Sequence, residues 1–248
     1  MAENSYHRLM AEYRKRDNYG VVFRNALEDV AEQMDFSWVK SCVAFGTGSG
    51  EREIELVHRL LPNLRSFQAV ETDSESVMVL RLAFQDNHLP GVEASVVETS
   101  LESWSGVDKP VDAVLFVSML PHVHSSDRKA LFQKLMTTYL SPPGIIFIVD
   151  NVRSIPSGCQ MLKDRLRMPP DDYDVMEKEM LDAGFRVVLT HDLIVRCDLS
   201  NPSDDIVKFI LKISRHQHSE QEVRNAIDDI FSQPNMDICM MKLAIFTK

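Results

Sequence analysis

Apolar positions along this chain change their period several times, and the changes mark out the elements. Lys40–Phe45, Ser66–Glu71 and Ala94–Val97 are short apolar runs, and Val111–Val117 is interrupted only by Asp112. Ile145–Asp150 repeats that pattern, as do Phe185–Leu189, which runs on toward Val195, and Ile238–Phe246. Short runs of this kind, bounded by turn residues, predict strands, and a continuous run predicts burial on both sheet faces. Between them lie segments of helical period. Glu51–Leu61 is ended by Pro62, and a helix capped by Asp73 or Ser74 carries Val77, Leu80 and Phe84 on one face to about Asn87. Ser126–Leu140, Tyr173–Ala183 before Gly184, and Asp204–Ile213 read the same way, and Ser219-Glu220-Gln221-Glu222 is a capping box opening a helix to Phe231.

Residues 1–36 are predicted helical, with Tyr6, Met10 and Tyr13 in one stripe and Phe23, Leu27, Val30 and Met34 in another after a break near Asn18–Gly20. Pro142-Pro143-Gly144 reads as a turn and residues 151–172 as an irregular insertion. Strands alternating with helices at this spacing predict an α/β chain, a Rossmann-like, doubly wound, mostly parallel sheet of seven strands, the last inserted antiparallel. The expected organisation is one domain, 1–248, with a helical cap (1–36), a core (37–150) and a region completing the sheet and its substrate side (151–248).

In such sheets ligands bind outside the carboxyl ends of the strands. The polar chemistry of this chain gathers there: Gly46-Thr47-Gly48-Ser49-Gly50-Glu51, Glu71-Thr72, Glu98-Thr99-Ser100 and Val117 to His122. Gly46-x-Gly48-x-Gly50 closes the first strand with a sharp turn and opens the next helix, so ligand atoms can approach main-chain N–H groups with no Cβ in the way. Glu71 ends the next strand about twenty residues on, where a carboxylate can accept both hydroxyls of a ribose. A dinucleotide site has G-x-G-x-x-G, and here Glu51 stands where its third glycine would be. A negative side chain repels a pyrophosphate but suits the amino end of a cationic sulfonium, which favours S-adenosylmethionine (SAM) over NAD.

Composition narrows the rest. The chain has 248 residues and a formal net charge of −10, which argues against a nucleic-acid partner. No apolar run approaches the roughly twenty residues of a membrane span, and the charged first thirty residues do not resemble a signal peptide. The four cysteines, Cys42, Cys159, Cys197 and Cys239, have no C-x-x-C spacing and suggest neither zinc nor a disulfide framework. A cytoplasmic monomer acting on a small molecule, without a metal, is the expectation.

These motifs resemble those of class I SAM-dependent methyltransferases, and within them histamine N-methyltransferase and its relatives. The likeness runs through most of the chain, anchored by Gly46 to Glu51, Val70-Glu71, Glu98-Thr99-Ser100, Met119-Leu120, Ser157-Gly158 and Pro169-x-Asp171-Asp172. The resemblance implies that Gly46, Thr47, Gly48, Gly50 and Glu51 hold the methionine end and Glu71, with Thr72, the ribose. Thr99 and Ser100 would lie at the adenine, and Val117 and Ser118 beside the methionine and the acceptor. The departures fall in the acceptor pocket. Pro121-His122 replaces two tyrosines, Cys159 stands where tryptophans would, and Tyr19 takes the place of a glutamate.

Methyl transfer from a sulfonium is an in-line displacement in which alignment matters more than acid–base help. An amine or imidazole nitrogen must still shed a proton, and His122 is the candidate base. Tyr6, Met10, Tyr19, Ser118, His122, Cys159 and Phe209 are the candidate acceptor-side residues. The rival from another class is a non-catalytic methyltransferase-like protein that uses the fold to bind a partner.

Overall fold

The structure, a computed structural model, describes residues 6–153, 157–168, 173–215 and 217–248. In chain order the elements begin with α1 (Tyr6–Arg14), α2 (Tyr19–Gln33), β1 (Ser41–Phe45), α3 (Glu51–Leu60) and β2 (Ser66–Glu71). α4 (Ser74–Gln85), β3 (Glu93–Glu98), β4 (Val111–Val117), α5 (Ser125–Lys134) and β5 (Leu140–Asn151) follow. The chain ends with α6 (Gly158–Arg165), α7 (Tyr173–Asp182), β6 (Arg186–Arg196), α8 (Asp204–Ile213), α9 (Glu220–Phe231) and β7 (Ile238–Thr247).

The strands form one seven-stranded sheet in the order β3-β2-β1-β4-β5-β7-β6. Strand order reverses between β1 and β4, both of which run parallel to their neighbours, with Phe45 opposite Phe116 and Phe45 opposite Val70. The expected antiparallel insertion is β7. Val152 N–H donates to Met240 O and Lys248 N–H to Gly144 O, so sequence number rises along one strand as it falls along the other. The predicted fold class is the observed one.

Two compact units share the chain: Met1–Phe23, Asn151–Asp172 and Asp192–Met241 in the first, Arg24–Asp150, Tyr173–His191 and Lys242–Lys248 in the second. The second has β4 at its centre, buried from Ala113 to Val117 as its sequence requires, with Phe116 stacked on Phe45 at 5.3 Å. Trp104 closes that layer edge-on to Phe45 and donates its indole N–H to Gln68 Oε1 at 3.3 Å. The first has its own apolar core, in which Leu9, Leu162, Leu166, Ile206, Ile210, Val223 and Ile227 meet. There α8 presents Ile206, Val207 and Ile210 at i, i+1 and i+4, the stripe that a buried helix face needs.

Three segments differ from the sequence expectation. The insertion after β5 contains α6, capped by Ser157 Oγ accepting from Gln160 N–H at 3.1 Å; its apolar residues Leu162 and Leu166 are only four apart, too short a pattern to stand out. Pro169-x-Asp171-Asp172 lies outside the described residues. β5 begins at Leu140, not Ile145, and takes in the prolines because its register against β4 shifts between Val111 and Ala113. The helix expected to reach Leu140 is α-helical only to Lys134 and continues as a wider π turn, Leu135–Tyr139. Among the described residues no helix is long and apolar enough to cross a membrane.

Candidate functional site

In the second unit the carboxyl ends of β1, β2, β3 and β4 converge around the glycine turn. Gly46, Gly48 and Gly50 have φ of +60°, +54° and +77°, a left-handed backbone open to glycine at little cost. The turn is closed by Gly46 N–H to Val70 O and Gly50 N–H to Thr47 O, both 2.8 Å. Its glycines differ in what surrounds them. A Cβ on Gly46 would lie 2.7 Å from Met119 Cβ and one on Gly50 would lie 2.3 Å from Leu80 Cδ2, whereas one on Gly48 would meet nothing within 4 Å. The first and last glycines therefore let Met119, just after β4, and α4 pack against the turn, and the middle one faces open space.

Glu71 ties the turn to the tip of β2. Its Oε2 accepts the Gly48 N–H at 2.7 Å, and its Oε1 accepts the N–H of Thr72 at 2.8 Å and of Asp73 at 3.0 Å. Three backbone donors thus fix a carboxylate that is 8% exposed. Beside it the Thr47 hydroxyl is buried without a hydrogen-bond partner among the described residues. Such a group costs free energy unless something fills its hydrogen-bonding capacity. An open face at Gly48, an orphaned hydroxyl and an exactingly held carboxylate fit a ligand with sugar hydroxyls and a polar amino-acid end.

On the flanks, Thr99 N–H donates to Glu71 O at 3.0 Å, so Thr99 and Ser100 stand next to that carboxylate's own backbone. β4 ends in Val117, and Ser118 has φ +53°, a conformation that costs a non-glycine residue about 1 kcal/mol or more and collects at functional sites. Ser118 N–H still reaches Val149 O at 2.8 Å. His122 closes a 3₁₀ turn, Leu120–His122, and is exposed. That turn is clamped from below: Arg128 donates to Val123 O at 2.7 Å and Leu120 O at 3.3 Å while pairing with Glu179 at 2.8 Å. Burial pushes the Glu179 carboxyl up, but the hydrogen bonds from Arg128 and Ser125 outweigh it and bring the group below its usual range.

Glu51, assigned to the cofactor's amino end, is exposed at the start of α3, with Arg52 Nη1 3.6 Å away. Glu53, two residues on, was not expected to matter and is buried at 3% exposure. Burial pushes its carboxyl up to about 8, and the negative charge of Glu71 adds to the effect. The signal available in the sequence was an acid at the third helical position, one turn on the core side of the glycines.

The acceptor-side candidates in the first unit are mostly grouped. Tyr6 and Tyr13 tilt against Phe209 with ring centroids 5.8 and 4.9 Å away, and Met10 and Cys159 pack on the same apolar cluster. Tyr19 lies apart from them, buried against Phe23 at 5.6 Å and under the Arg14 guanidinium at 4.8 Å.

No family model matches this chain, and no curated protein matches it by sequence. Solved structures do match by shape. A Bacillus halodurans C-125 protein described as a candidate methyltransferase aligns with TM-score 0.64 at 14% identity over 91% of this chain and 98% of its own. The mycolic acid cyclopropane synthase CmaA1, complexed with SAH and CTAB, aligns with TM-score 0.58 at 12% identity over 90% and 83%. The [4+2]-cyclase SpnF aligns with TM-score 0.57 at 15% identity over 90% and 81%. The chain has the Rossmann-like fold of the class I methyltransferases.

Proposed function

We propose that this chain is a SAM-dependent methyltransferase acting on a small molecule, at a nitrogen of an amine or imidazole compound, in the manner of histamine N-methyltransferase with a diverged acceptor pocket. The observation that carries the proposal is the Glu71 carboxylate, held at the strand-order reversal by the Gly48 amide next to the unpartnered Thr47 hydroxyl. When bound, SAM supplies an electrophilic methyl group. Glu71, with Thr72, would accept the ribose hydroxyls, Thr99 and Ser100 would border the adenine, and Gly46 to Glu51 would hold the methionine end. Val117 and Ser118 would flank the methionine and the acceptor.

On the acceptor side, Ser118 and His122 at the tip of β4 would orient the nitrogen, and His122 would take its proton directly or through water. In the first unit Tyr6, Met10, Cys159 and Phe209 group as one apolar and aromatic cluster. Their chemistry suits a small heterocycle or amine better than a phosphate-bearing polymer, in keeping with the charge of −10. The same composition, with none of the four cysteines in a disulfide, suits the cytoplasm.

Isothermal calorimetry with SAM and with S-adenosylhomocysteine tests the cofactor half. Binding of both is expected, and binding of neither removes the proposal. A methyl-donor-coupled screen of amines and imidazoles, histamine and histidyl dipeptides among them, then tests the acceptor. A chain that binds the cofactor but methylates none of these, and only oxygen or carbon acceptors, would leave the cofactor half standing and refute the nitrogen assignment.

A further inference from the structure

Parallel neighbours in a sheet need a crossover, and a helix ordinarily supplies it. Between β3 and β4 this chain instead runs through an irregular connection, residues 99–110, with no helix in it. A cleft of about 150 Å³ lies between that connection and α5, within the second unit. Asp127, Ala130, Leu131 and Lys134 line it from α5, at i, i+3, i+4 and i+7 of one helix face. Leu101, Glu102 and Trp104 line it from the connection, and Tyr139 lines it from the end of the π turn.

Its aromatic corner is held in place. The Trp104 and Tyr139 rings meet edge-on with centroids 5.1 Å apart, and Trp104 is anchored from behind by Phe45 and Gln68. Gly106, at φ +97°, lets the connection close on Tyr139, since a Cβ there would lie 2.6 Å from Tyr139 Cε1. A volume of this size accepts one benzene-sized ring. The charges around it are unequal. Glu102 and Asp127 bring two carboxylates from separate segments, whereas Lys134 brings one ammonium, exposed and about 10 Å along α5 from Asp127. Among the described residues none of these three takes part in an ion pair. Aromatic faces attract a cation through their quadrupole and repel an anion. The chain's formal charge of −10 works in the same direction.

We propose that this cleft binds a small aromatic ammonium ion. The ring packs on Leu101, Leu131 and the Trp104–Tyr139 corner, and the ammonium takes the Asp127 and Glu102 carboxylates at the end of the cleft away from Lys134. Such a site has the usual anatomy of a small-molecule pocket, an apolar floor with a few polar groups that fix orientation. None of the residues assigned to SAM or to the methyl acceptor lines it. The site is therefore separate from the proposed methyl transfer and does not depend on it.

The test uses the full chain at pH 7, with no cofactor, and three probes of one shape: 2-phenylethylammonium, 2-phenylethanol and 3-phenylpropionate. Calorimetry should find the ammonium bound at least about ten times more tightly than the alcohol, the carboxylate not at all, and the preference reduced in 1 M salt. This comparison needs no variant to fold. Glu102→Gln with Asp127→Asn should bring the ammonium down to the affinity of the alcohol, and Ala130→Phe, which fills the cleft from an exposed helix position, should abolish binding of both. In Trp38→Phe, where Trp104 is the one remaining indole, the ammonium should change the fluorescence. No binding of the ammonium, or equal binding of ammonium and alcohol, overturns the proposal. So does binding that survives Ala130→Phe but is lost in His122→Ala, which would put the amine at the proposed acceptor site instead.

Discussion

The Gly48 amide donates to Oε2 of Glu71 at 2.7 Å, so the turn after β1 is fastened to the tip of β2 by the side chain assigned to the ribose. One carboxylate therefore does two jobs, shaping the turn and presenting acceptors at the switch in strand order. Glu71→Gln keeps the size but loses the charge that makes such bonds strong. The variant should bind S-adenosylhomocysteine more weakly by about 2–4 kcal/mol, as for loss of charge-assisted hydrogen bonds. Calorimetry reads this directly, and unchanged affinity would reassign the carboxylate to a purely structural part.

The three glycines separate stability from binding. Gly46→Ala places a Cβ 2.7 Å from Met119 Cβ at a φ of +60°, so it should destabilise the chain by about 2 kcal/mol or more in urea titrations. Gly48→Ala has the same backbone penalty of about 1 kcal/mol but no clash, and it fills the open face of the turn. It should lose more in affinity for S-adenosylhomocysteine than in stability. The reverse ranking would put the ligand somewhere other than against Gly48.

Much of this was legible in the sequence because strand and turn chemistry is local. Val111–Val117 has the bounds its apolar run predicts, and Ser66–Glu71 ends on the carboxylate that the spacing requires. The antiparallel β7 was legible as the last apolar run in a doubly wound pattern. What was not legible depends on partners distant in sequence. The extension of β5 through Pro142 and Pro143 follows from its register against β4, and the meeting of Cys159 and Cys197 at Tyr13 joins three separate segments. Spacing rules for cysteines look for near neighbours, and these two are 38 residues apart along the chain (197 − 159).

Arg128 and Glu179 form a buried pair that also holds the turn bearing His122 through Leu120 O and Val123 O. Arg128→Met alone leaves a buried carboxylate unpaired and should cost about 3–5 kcal/mol. Arg128→Met with Glu179→Leu removes both charges and should recover much of the stability. The two carbonyls stay without their donor in either variant, so methyl transfer would remain impaired in the double variant even where melting temperature returns. Recovery of both together would show that the clamp on the turn is dispensable.

Glu53 sets a pH dependence that no exposed carboxylate would give. It lies in the first turn of α3, where the helix dipole favours a negative charge by about 0.3–1 kcal/mol at an exposed position. Burial is the larger effect and pushes the carboxyl up to about 8, from an ordinary value of 4.5. Between these two values the folded chain holds a proton at Glu53 that the unfolded chain has released. Stability attributable to this residue is therefore full below about pH 4.5, falls as pH rises through the window and levels off above about 8. Glu53→Gln keeps the shape and the neutral state at every pH. Relative to the variant, the wild-type chain should lose stability steadily from pH 5 to pH 8, so that the variant melts higher at pH 8 and the gap narrows toward pH 5. Parallel melting curves across that range would mean that the carboxyl ionises at its ordinary value, with water reaching it beneath the glycine turn.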